Sequence, residues 1–105
     1  MGGDGRRSKD DAGRLIRECI GDGRFILTHH FRSELEKDGL SIVDAQIVIR
    51  RGHVFEEPES DISTGQWKYR IMGTAPDGQF VSIVFCFNSD DESVLITVFT
   101  DRSSR

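Results

Sequence analysis

WKYRIMGTAPDGQFVSIVFCFN, residues 67–88, decides the fold. Trp67, Tyr69 and Ile71 alternate with Lys68, Arg70 and Met72, the period of two expected of a strand with one wet face. Pro76-Asp77-Gly78 then predicts a tight turn, because proline presets one dihedral and glycine accepts a positive one. Beyond the turn, Val81, Ile83, Phe85 and Phe87 oppose Phe80, Val84 and Cys86. A run apolar on both faces predicts the central strand of a sheet. The stretch is therefore a hairpin with one inner and one outer arm.

Downstream, SDDE (89–92) makes the next turn and SVLITVFT (93–100) the last strand. Upstream the period changes. Leu15, Ile16, Cys19 and Ile20 recur at helical spacing from Ser8, and Gly21 with Gly23 ends that helix. FILT (25–28) predicts a short edge strand. Thr28 caps a second helix with Phe31 and Leu35 on one face, closed by Gly39 in a left-handed turn. SIVD (41–44) spells a capping box for a third helix buried through Ile42, Ala45, Val48 and Ile49, with Gly52 at its end. A further strand is predicted at 53–56, running into an acidic loop.

These elements predict an α+β fold, with N-terminal helices packed on one face of a three- to four-stranded antiparallel sheet. At 105 residues the chain holds one domain, expected at 9–101 between flexible segments 1–8 and 102–105. The net charge of −4 supplies no global attraction for nucleic acid or an anionic membrane, and no DNA contact is expected. Two cysteines far apart, Cys19 and Cys86, make no disulfide framework and suit a reducing compartment. FVSIVFCF is too short to span a bilayer, and MGGDGRRSKDD lacks the apolar centre of a signal peptide, so a cytoplasmic protein is expected.

Two of the three histidines, His29 and His30, fall in the first turn of the second helix. Unpaired amides and the macrodipole disfavour imidazolium there, which suits a ring to accept a proton. Successive helical residues point about 100° apart, so the two rings cannot serve one face. The plainer alternative is a pair of surface rings capping backbone. With only His53 left to join them, no metal site is expected, nor any other cofactor.

On the hairpin, Lys68 and Arg70 stand on the face opposite Trp67 and Tyr69, about 7 Å apart along the strand. They can clamp a phosphate, Arg as a planar fork and Lys as a point charge, or simply balance the acidic loop. Tyr69 would take their place if the register were inverted. Arg50 and Arg51, candidates for substrate binding with His29 and Thr97, also complement the C-terminal dipole of the third helix. The threonines Thr97 and Thr100 equally fit plain β-propensity.

THHFRSELEKDGLSIVDAQIVIRRG, WKYRIMGTAPDGQFVSIVFCF and VLITVFT together resemble the prokaryotic family named domain of unknown function 4258, over residues 25–100. His30 matches the family histidine, Gly39-Leu40 a step between helices and Ile96-Thr97 a threonine-containing tail. The family often has arginines one and two turns after the histidine, where this chain has Glu34 and Asp38. It is similar in layout to RelE/ParE-type toxins and to the motility-quorum-sensing-regulator type of mRNA interferase. The resemblance implies a RelE-like fold and the toxin of a toxin–antitoxin pair, an endoribonuclease that cleaves mRNA without metal and is silenced by a cognate antitoxin protein. His30 would be its base, with Arg70, Lys68 and Tyr69 as catalytic candidates. The alternative is a non-catalytic module whose strand edge or acidic loop docks a protein.

Overall fold

A computed structural model describes residues 5–101 of the chain, and each helix begins at a hydroxyl that accepts an otherwise orphaned amide. Ser8 caps α1 (Lys9–Asp22) by accepting from the amide of Asp11, and Gly23 closes it with φ 75°. Thr28 caps α2 (His29–Lys37), and Ser41 with Asp44 forms a reciprocal capping box on α3 (Ile42–Arg51). Each such cap stabilises its helix by about 1 kcal/mol. The buried stripes are Ala12, Ile16, Cys19 and Ile20 on α1, Phe31 and Leu35 on α2, and Ala45, Val48 and Ile49 on α3.

Five strands form one sheet in the order β1-β5-β4-β3-β2. They are β1 (Phe25–Leu27), β2 (Glu59–Ser60), β3 (Trp67–Thr74), β4 (Phe80–Phe87) and β5 (Ser93–Asp101). β4 is central, as its two apolar faces require, and the turn before it carries Gly78 at φ 95°.

Two expectations are corrected. The sheet is mixed and five-stranded, not an antiparallel sheet of three or four, because β1 runs parallel to β5. A hairpin imposes antiparallel pairing, but β1 arrives from α1 and leaves into α2, so no turn dictates its direction. The strand expected at 53–56 reduces to a single bridge between His53 and Met72. Pairing resumes only at β2, inside the acidic stretch, where Glu59 and Ser60 meet Lys68 and Trp67.

The helices lie on the face of Tyr69, Ile71, Val81, Ile83, Phe85, Leu95 and Val98, closing one core around Phe31. Burying a ring such as Phe31, at 0% exposure, contributes roughly 1.5–3 kcal/mol. No helix among the described residues is long and apolar enough to cross a membrane. Residues 1–4 and 102–105 of the expected flexible ends lie outside the described residues. Residues 5–8 make specific contacts: the amide of Arg7 donates to the Tyr69 hydroxyl (2.9 Å), and its guanidinium lies over Phe87.

Candidate functional site

The opposite face of the sheet carries the candidate site, and an irregularity in β5 creates it. Val84 faces Thr97 while Phe85 faces Leu95, so Ile96 is the extra residue of a β-bulge. The bulge shifts the alternation, placing both Leu95 and Val98 in the core at 1% exposure and turning Thr97 to the other side. The Thr28 hydroxyl lies 3.0 and 3.1 Å from the carbonyl oxygens of Leu95 and Ile96, while accepting from the amide of Phe31. One side chain thus caps α2 and fastens its first turn to the bulge.

That anchorage sets His30. Phe31 fills the core, and the preceding ring emerges about a quarter-turn away, its Nε2 lying 3.2 Å from Thr97 Oγ1. His29 is also exposed, but it is His30 that reaches Thr97.

Arg70, Val84 and Thr97 form one row across β3, β4 and β5. Strand spacing separates the Arg70 and Thr97 backbones by about 10 Å. The Arg70 side chain shortens that gap by reaching across β4 to lie over the Phe99 ring, 5.3 Å from its centroid. Phe99 and Thr97 are two residues apart on β5 and share a face, about 7 Å from each other. The structure therefore places His30, Thr97 and Arg70 on one face of the sheet.

Lys68 shares that face but is engaged, its Nζ 2.9 Å from Asp61 Oδ2. The Lys68 hydrogen bond, followed by those from the Ser63 hydroxyl and amide, lowers the Asp61 pKa from 3.8 to about 2. A carboxylate with a depressed folded value stabilises the fold fully above its unfolded value and loses that contribution as pH falls through the folded one. The stability gap between wild type and Asp61→Asn, read from urea midpoints, should be constant above about pH 4 and close towards pH 2. A gap unchanged down to pH 2 would sever Asp61 from Lys68.

Glu59 pairs directly with Lys68, and Glu56, Glu57 and Glu59 line a cleft of about 90 Å3 with Lys68, Arg70 and Val84. Sequence reasoning set the acidic loop beside these cations as one alternative, without the pairing that fixes it there. The bridge at His53 and the strand at Glu59, which depend on backbone pairing, bring them together.

Other candidates fall elsewhere. Tyr69 is 2% exposed on the helix side and stacks on Phe85, so the register is not inverted and its hydroxyl does not reach the Arg70 face. Arg50 and Arg51 end α3, the helix packed on the opposite side of β3, and are exposed there. Cys86 lies on the open face, 3.5 Å from Gln66 Oε1, and burial pushes its thiol pKa up, away from thiolate chemistry. Among the described residues no three His, Cys, Asp or Glu converge as metal ligands would.

Fold and site thus define an α+β protein with helices over one sheet face and a histidine, a threonine and two cations on the other. The chain belongs to the family described as domain of unknown function (DUF4258), whose model matches residues 27–100. The match spans α2 through nearly all of β5 and so contains His30, Lys68, Arg70 and Thr97. No curated protein and no solved structure matches the chain.

Proposed function

We propose that the chain is a metal-independent endoribonuclease of RelE/ParE-like type, the mRNA-cleaving toxin of a toxin–antitoxin pair. What supports this reading is that His30 and Thr97, 67 residues apart in sequence, lie 3.2 Å apart on the sheet face that also carries Arg70. With its proton on Nδ1, the His30 ring accepts from the Thr97 hydroxyl at Nε2. An RNA 2′-hydroxyl offers the same donor in the same place. Proton transfer to Nε2 frees the 2′-oxygen to attack the adjacent phosphorus, and the 5′-oxygen leaves with a proton from water. Products are a 2′,3′-cyclic phosphate and a 5′-hydroxyl. Arg70 stabilises the charge that builds on the phosphoryl oxygens, with Lys68 beside it once freed from Asp61.

The test is cleavage of end-labelled mRNA by the purified chain in EDTA, with induced expression in a bacterium lacking any antitoxin. Fragments ending in cyclic phosphate and arrested growth are expected. Intact RNA together with normal growth would overturn the reading. It would favour the second one, a non-catalytic module that docks a protein through its acidic segment. That alternative has its own observation: Ile62, 98% exposed in the turn after β2, is an apolar side chain presented wholly to solvent.

A further inference from the structure

Of the cations of the open face, Lys68 is paired with the chain's own Asp61, and Arg70 lines a cleft with Glu56, Glu57 and Glu59. The segment from 53 to 61 runs along the outer edge of β3, fixed at one end by the His53–Met72 bridge and at the other by β2. Between those ends it passes beside Arg70 and Lys68. Glu56, Glu57 and Glu59 share their cleft, and Asp61 holds Lys68 at 2.9 Å. Arg6 brings one more positive charge through its ion pair with Glu57. Four carboxylates against Arg6, Lys68 and Arg70 leave the patch formally negative, where a phosphodiester needs it positive.

We propose that the acidic segment is an internal competitor for the RNA backbone, occupying the phosphate seat at Arg70 and Lys68 so that RNA binds only when the segment moves aside. The inference rests on reading that cation pair as the phosphate seat of the proposed nuclease. It adds a restraint within the chain to that of the proposed antitoxin: a negatively charged chain is held off RNA until its own carboxylates yield. A two-residue strand is among the shortest ladders a sheet contains, so the attachment at β2 is suited to exchange. A basic partner segment, drawn to the same four carboxylates, is the kind of molecule that would release the site.

Glu→Gln changes preserve size and hydrogen bonding while removing charge, and leaving Asp61 in place keeps the anchor to Lys68. Fluorescence anisotropy would follow a fluorescein-labelled 12-nucleotide 2′-O-methyl oligouridylate. That strand lacks the free 2′-hydroxyl needed for attack, so binding is read apart from chemistry. E56Q/E57Q/E59Q is expected to bind it at least about tenfold more tightly than wild type at low salt. The gain should vanish when K68A/R70A is added. Asp61→Asn, which frees Lys68 alone, should give a smaller gain in the same direction and serves as the second variant if the triple one melts early. Equal affinity of wild type and both variants would overturn the masking, and so would a gain that survives K68A/R70A.

Unmodified RNA separates the two ideas. A triple variant that grips the 2′-O-methyl strand more tightly yet cuts nothing retains the masked seat and removes the nuclease. A wild type that cuts, with variants that bind no better, does the reverse.

Discussion

His30→Ala is expected to slow RNA cleavage by about 10²–10⁴-fold, the usual contribution of a positioned general base. The protein should melt within about 2 °C of wild type, because an exposed side chain away from caps and core contributes little to stability. The cap of α2 belongs to Thr28 and its core contact to Phe31, so the helix keeps its place without the ring. Thr97→Val separates positioning from chemistry. It removes the hydroxyl 3.2 Å from the imidazole at nearly constant volume. The rate is expected to change by no more than about fivefold, the worth of the one neutral hydrogen bond that the RNA 2′-hydroxyl must replace at Nε2. Arg70→Ala should cost about 10²–10³-fold, as loss of one donor to a developing oxyanion does, and Arg70→Lys should restore part of it without the bidentate fork. Wild-type cleavage rates in His30→Ala would remove the base from the mechanism, whatever the other variants did.

The features that residues 67–88 encode locally were legible, because side-chain alternation and turn chemistry are decided within a few residues. Tyr69 faces the core and Arg70 the opposite side, as the period of two required. Thr28, Ser41 and Gly39 do what capping chemistry asks of them, with Gly39 at φ 71°. What was not legible depends on partners distant in sequence. The direction of β1 is set by where α1 delivers the chain. The outward turn of Thr97 comes from the bulge at Ile96, whose only local sign is that the buried residues Leu95 and Val98 stand three apart where a regular strand has two. That Glu56, Glu57 and Glu59 share a cleft with Lys68 and Arg70 follows from the path of 53–61 along β3, fixed by a bridge at His53 and a strand at Glu59 where the sequence predicts a strand at 53–56 and then an acidic loop.

Gly52 carries the largest expected effect on stability, for a reason its position in sequence conceals. As a residue after a helix it reads as a stop signal, yet its φ of −84° is open to any residue. What it needs is space. A Cβ there would lie 2.5 Å from the Met72 carbonyl oxygen and 2.6 Å from that of Val48, both backbone atoms with no rotamer to change. Gly73 faces it, with a Cβ position 2.9 Å from the Val48 oxygen and 3.0 Å from Gly52 Cα. The end of α3 therefore rests directly on the backbone of β3, and the amides of His53 and Met72 bond across the same junction at 3.0 Å each. Gly52→Ala must push these segments apart, at a cost of about 3 kcal/mol, the upper part of the range for overpacking. For a domain this size that lowers the melting temperature by about 12–20 °C. Gly39→Ala is the informative control: it has open space around the new methyl and only a left-handed φ to oppose it, worth about 1–2 kcal/mol. Because β3 also carries Lys68 and Arg70, surviving folded Gly52→Ala should show changed amide shifts along 67–73 in NMR spectra. A Gly52→Ala protein that melts with wild type, or above the Gly39→Ala control, would mean that the helix end and the strand do not touch as described.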